Sequence, residues 1–133
     1  MGWVFWEFGT GYKIRLRYYV EDEGNRKPIY IKNLSRAEKV FEVRHGKNDT
    51  HQFYYYKTSR AYHIIILSNN EPRAEVLIEN KISIEEALKA NEYFRQEGQK
   101  FDVLADDIRD TLYAMLNIPE LEALASTLII SGW

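Results

Sequence analysis

The sequence predicts an α+β fold, an antiparallel sheet of about five strands over residues ~3–80 packed against two or three helices over ~83–128. Two observations carry this. Up to about residue 80, apolar side chains recur at every second position between clusters of Gly, Asn, Asp and Ser; from Ser83 onward they recur every three to four. No repeat, low-complexity tract or Pro/Gly/Ser-rich linker interrupts the chain, so residues 1–133 read as a single domain.

Residues 3–8 and 12–20 alternate around Gly9-Thr10-Gly11, a connection with two φ-permissive glycines, and so predict a β-hairpin. EDEGNRKP (21–28) is a polar loop, and PIYIKN (28–33) reads as a third strand. Ser35 and Glu38 have capping-box spacing, whereas VFEVR (40–44) also suits an extended chain, and both readings stay open. HQFYYYKT and AYHIIILS form a second hairpin around Ser59-Arg60, in which Tyr56 pairs with His63 and Lys57 with Tyr62. HIIIL is apolar on both faces, as expected of a central strand, and AEVLIEN (74–80) is a further strand. In the helical part, Ser83 and Glu86 form a capping box ahead of a stripe of Ile84, Ala87, Leu88, Asn91 and Phe94, which Gly98 stops. Phe101, Leu104, Ile108, Leu112, Met115 and Leu116 form a second stripe, and Pro119 starts a third, shorter helix.

With Phe8 opposite Tyr12, the first hairpin has two unlike faces. Val4, Trp6, Phe8, Tyr12, Ile14, Leu16, Tyr18 and Val20 form a core side. The other side carries Trp3, Phe5, Glu7, Lys13, Arg15, Arg17 and Tyr19, with Phe5 across from Arg15 and Trp3 across from Arg17. If Val20 pairs with Ile29, Tyr30 and Lys32 join that second side, opposite Tyr19 and Arg17. Like charges facing each other across strands cost up to about 1 kcal/mol, and an anion between Arg17 and Lys32 would relieve that cost.

Charge follows the same division. Residues 1–80 carry 13 Lys/Arg against 10 Asp/Glu, residues 81–133 carry 5 against 10, and 14 of the 19 aromatics lie in residues 1–62. Aromatic side chains interleaved with cations are what single-stranded nucleic acid requires, since bases stack on rings and phosphates meet cations. Trp3, Phe5, Tyr19 and Tyr30 are therefore the expected stacking residues, and Lys13, Arg15, Arg17 and Lys32 the expected phosphate contacts, for single-stranded DNA or RNA. An overall pI near 5.9 argues against a general duplex binder. The same composition also suits an ordinary sheet surface of cation–π pairs, or a face that the helices cover.

Other functions leave weaker marks. Without cysteine there are no disulfides, thiolate metal sites or cysteine nucleophiles. Neither a signal peptide nor an apolar run near the ~20 residues of a membrane helix is present, so an intracellular, cytoplasmic protein is expected. His45, Asp49 and His51 lie close together in HGKNDTH but read as turn chemistry; Asp106-Asp107 reads as a solvated helix face. No catalytic residue, metal site or cofactor is expected. The enzymatic alternative is a metal-independent ribonuclease built from Arg15, Arg17, His51, Tyr54 and His63. Another is an interaction or inhibitor module acting through the acidic helices, and the apolar tail suggests a homodimer through the C-terminal helices and tail.

In layout, GWVFWEFGTGYKIRLRYY followed by the helical region from Ser83 resembles the ThermoDBP family, single-stranded nucleic acid binding proteins of hyperthermophilic archaea. The resemblance implies the same ligand class and transfers no site residues.

Overall fold

Alternating strands bury one side each, and here the buried sides of six strands line up beneath the helices. The structure, a computed structural model, describes residues 2–20, 34–103 and 105–123. The strands are β1 (Gly2–Phe8), β2 (Ile14–Val20), β3 (Glu38–His45), β4 (Asp49–Lys57), β5 (Ala61–Ser68) and β6 (Glu71–Glu79). They are followed by α1 (Ile84–Gln99), α2 (Ala105–Leu116) and a short α3 (118–123). All neighbours are antiparallel, in the order β1-β2-β6-β5-β4-β3. The fold is thus α+β with six strands rather than five. The sixth is 38–45, the segment that sequence left open, and Glu38 begins this strand instead of closing a capping box with Ser35. Among the described residues, no helix is long and apolar enough to cross a membrane.

The first hairpin differs in register from expectation. Phe8 pairs with Ile14, Phe5 with Arg17 and Trp3 with Tyr19. Gly9, Gly11 and Tyr12 all have positive φ, and Tyr12 N–H donates to the Gly9 carbonyl at 3.0 Å, so the strand resumes only at Ile14. A shift of two residues preserves sidedness, because side chains alternate with period two. Tyr12 alone leaves the core side and becomes exposed.

The expected Val20–Ile29 pairing falls partly outside the described residues. The partner of β2 on its second edge, over Ile14–Tyr18, is β6. Arg17 therefore has the opposite charge of Glu75 beside it on this edge, and Lys32 lies outside the described residues. The β4–β5 hairpin matches expectation, with Tyr56 against His63 and Lys57 against Tyr62. Pro72 sits in β6 where the register shifts between Ile66 and Leu67, a position that tolerates a missing N–H.

On the helix side, Trp6, Ile14, Leu16, Phe53, Ile64, Val76 and Ile78 meet Ala87, Ala90, Phe94, Ile108, Met115 and Leu121. Trp6 packs edge-on to Phe101 at 5.9 Å, and Phe41 stacks on Phe53 at 4.5 Å. The Ser83–Glu86 capping box forms as the spacing predicts. The buried stripe of α1, however, is Ala87, Ala90, Phe94 and Gly98, while Ile84 (71% exposed) and Leu88 (51%) face outward. Small residues let α1 lie close to the sheet. Gly98 is not a terminator: it is inside the last turn, and a Cβ there would stand 3.3 Å from the Val103 Cβ.

The acidic residues of α2 also depart from expectation. Asp110 is buried and Asp107 nearly so, and both approach His51 of β4 from consecutive helical turns. His51 Nδ1 donates to the Asp110 carboxylate, and His51 Nε2 lies 3.8 Å from Asp107 Oδ1. Burial, the largest influence on His51, would lower its pKa. The Asp110 hydrogen bond and the charges of Asp110 and Asp107 outweigh it, so the net pKa is raised. The Tyr18 hydroxyl is buried nearby, with its pKa pushed far upward by burial and then by Asp107. Among the described residues no group of three His, Asp or Glu is placed to hold a metal. The His51–Asp110 pair instead fastens α2 to the sheet.

Because the folded pKa of His51 is raised, its contribution to stability is complete below the unfolded value of about 6.5 and is lost as pH rises through the folded pKa. Urea titrations across this window should show stability falling in the wild type, and the fall should be flattened in Asp110→Asn. Asp110→Ala should cost about 3–5 kcal/mol, as expected when one partner of a buried pair is removed.

Candidate nucleic-acid interface

The side of the sheet away from the helices is divided by depth. At one end, Ile65 and Leu67 pack with Trp3, Leu34, Ala37, Tyr54 and Tyr56, so the segment before β3 covers that part. At the hairpin end, Phe5, Glu7, Arg15, Arg17, Glu75 and Leu77 help line an open groove of ≈ 210 Å³. Strand pairing places them in two rows across the sheet: Glu7–Arg15–Leu77–His63–Tyr56 and Phe5–Arg17–Glu75–Ile65–Tyr54.

The expected site residues separate accordingly. Phe5 is 61% exposed, and the Arg17 guanidinium lies over its ring at 5.1 Å. Arg17 also meets Glu75 at 3.8 Å; Glu75 is buried, so this cation is held by the protein itself. Arg15 is exposed, lies 5.9 Å from the Tyr12 ring and makes no ion pair among the described residues. Tyr19, by contrast, is 1% exposed and packs edge-to-face with half-buried Trp3 at 5.1 Å, so this pair builds the covered end. Lys13 precedes β2 and turns to the helices, where it meets Glu86 at 3.4 Å. The Ser83 backbone N–H and then Lys13 hold the Glu86 carboxyl below its usual value. Tyr30 and Lys32 lie outside the described residues.

Of the ribonuclease candidates, Arg15, Arg17, Tyr54 and His63 share this side of the sheet. His51 lies on the other, sealed against Asp110. His63 stacks on Tyr56 at 4.4 Å with an interplanar angle of 9°, and its Nε2 lies 3.4 Å from Thr58 Oγ1. Burial and then the Arg36 charge hold its pKa below the ordinary histidine value.

Sequence reasoning missed Tyr12, Glu75, Leu77 and Arg36. Alternation in AEVLIEN puts Glu75 and Leu77 on one face, but their position beside Arg17 and Arg15 comes from a pairing between strands more than 50 residues apart. Arg36 lies over the Tyr56 ring at 5.2 Å, a contact that depends on how the segment before β3 crosses the sheet. Comparison with family models, curated proteins and solved structures finds no match to this chain.

The split between Phe5 and Tyr19 is measurable. Phe5→Ala removes an exposed ring and should leave stability within about 0.5 kcal/mol of wild type in urea denaturation. Tyr19→Ala empties a packed position and should cost about 3–5 kcal/mol, by analogy with other aromatic truncations.

Proposed function

We propose that this protein binds single-stranded nucleic acid, DNA or RNA, on the open groove formed by β1, β2 and β6. The observation that carries the reading is Phe5, a large aromatic ring left 61% exposed in the same groove as Arg15, whose guanidinium makes no ion pair among the described residues. In this role Phe5 stacks a base while Arg17, pinned by Glu75, keeps the ring oriented. Arg15 meets a phosphate.

Fluorescence anisotropy with single-stranded DNA, single-stranded RNA and duplex at two salt concentrations tests this. Single strands should bind and duplex should bind more weakly. Phe5→Ala should cost roughly 1–3 kcal/mol of binding free energy, and Arg15→Ala should reduce the salt slope by roughly 0.7. Unchanged affinity and slope in both variants would contradict the assignment.

A second reading concerns the edge where the start of α1 and the end of α2 meet the sheet. Ile84, Leu116, Ile82, Ala87, Ile118 and Pro119 help line an apolar groove of ≈ 260 Å³ with no charged lining residue, and Leu88 lies one turn further along α1. We infer that a second copy of the chain covers this edge, since the exposed Ile84, Leu88 and Leu116 side chains beside it can pack against the same residues of another protomer across a two-fold axis. Sedimentation should give a dimer for the wild type and a monomer for Leu88→Glu; a wild-type monomer at high concentration would exclude this.

A further inference from the structure

The groove around Phe5 ends at Leu77 of β6, and the row of side chains that lines it continues across the sheet. From Arg15 the row runs through Leu77 and His63 to Tyr56, all on the side away from the helices. Arg15 and Leu77, then Leu77 and His63, then His63 and Tyr56 are direct neighbours on adjacent strands. Three strand spacings of about 4.8 Å separate the ends, roughly 14 Å in all. Arg36, from the segment before β3, closes the far end. It is exposed and, like Arg15, makes no ion pair among the described residues. Deeper in the sheet the next row is shut, since Glu75 and Ile65 are buried.

The chemistry along this row is uneven in an informative way. The Tyr56 ring already carries the His63 imidazole at 4.4 Å and the Arg36 guanidinium at 5.2 Å. The ring is thus already engaged by both groups, and what this end offers a ligand is N–H donors and positive charge. At the other end Phe5 is the open ring. Two guanidinium groups that make no ion pair among the described residues, one on β2 and one over Tyr56 of β4 three strand spacings or roughly 14 Å away, with Leu77 between them, suit a chain of spaced anions better than a single phosphate.

Resting on the reading of this face as a single-strand site, we propose that the bound strand crosses the sheet perpendicular to the β-strands, from Phe5 and Arg15 to Arg36, with His63 contacting it in between. Arg15 and Arg36 take phosphates at the two ends. The groups around His63 are Arg36 from the segment before β3, Tyr56 and Thr58 from β4 and its end, and Leu77 from β6, with the carboxylate residues Glu75 and Glu79 at the two diagonal positions of β6 and Arg17 one strand beyond Glu75. Burial and Arg36 favour the neutral imidazole in the free protein. A phosphate placed beside it favours the charged form, so binding takes up a proton and tightens as pH falls below neutrality.

The test uses the full chain with two labelled oligomers, in deoxythymidine and uridine form: a dinucleotide that reaches one guanidinium, and a longer strand that reaches both. Arg36→Ala should weaken the longer strand about three- to tenfold and lower its salt slope by roughly 0.7, while leaving the dinucleotide unaffected. Arg36→Lys should restore the slope. His63→Gln should match wild type at pH 7.5 and lose the tightening seen toward pH 6, with circular dichroism confirming that each variant is folded. If wild type binds the longer strand but all three variants keep its affinity, salt slope and pH dependence, the path is wrong and the site near Phe5 stands. If folded wild type binds neither oligomer, the single-strand reading itself fails and the path fails with it.

Discussion

The pairing of β2 with β6 is the constraint on which the rest of the structure depends. It joins the N-terminal hairpin to the β3–β6 meander and makes one six-stranded sheet out of two smaller ones. An isolated two-stranded hairpin is marginal in water, so Phe5 and Arg15 have a fixed address only because Ile14–Tyr18 are laddered to Ala74–Ile78. The same pairing sets Leu16 against Val76 and Ile14 against Ile78 under the helices, and Arg17 against Glu75 on the opposite side. Core and candidate site are thus two consequences of one register.

The two sides of the sheet use aromatic and charged residues differently. Under the helices, several polar groups are tied to one another: His51 with Asp110, Tyr62 with Glu122 at 2.9 Å, and Ser83 with Glu86 in the capping box. On the other side Trp3 and Tyr19 are consumed in a small second core, whereas Phe5, Arg15 and Arg36 remain available. The aromatic and basic composition of residues 2–20 therefore serves two purposes, packing at one end of the hairpin and an open surface at the other. Glu75 limits the positive field by neutralising Arg17, which fits a site for single strands better than one for the dense charge of a duplex.

Sidedness was legible in the sequence because it needs only alternation. The separation of Val4, Trp6 and Phe8 from Trp3 and Phe5 survives even a two-residue error in register, and the Ser59-Arg60 hairpin and the Ser83 capping box follow from local chemistry. What sequence could not supply was non-local: that β6 pairs with β2 over Ile14–Tyr18, that α1 turns Ala87 and Ala90 inward and leaves Ile84 and Leu88 outside, and that Asp110 finds a histidine 59 residues away. Periodicity marks an apolar stripe but does not say which of two adjacent stripes the sheet accepts; close approach of α1 selects the smaller side chains. For the candidate site, Phe5, Arg15 and Arg17 were readable from alternation. Exposure was not, and it divides Phe5 from Tyr19.

Amide chemical-shift mapping of the isotope-labelled protein during titration with a single-stranded oligonucleotide tests the central claim most directly. The account predicts shifts concentrated at Phe5, Tyr12, Arg15, Leu77, His63 and Tyr56, with α1 and α2 unmoved. Shifts concentrated on the outer helical residues around Ile84, Leu88 and Leu116, or no shifts at all, would contradict it.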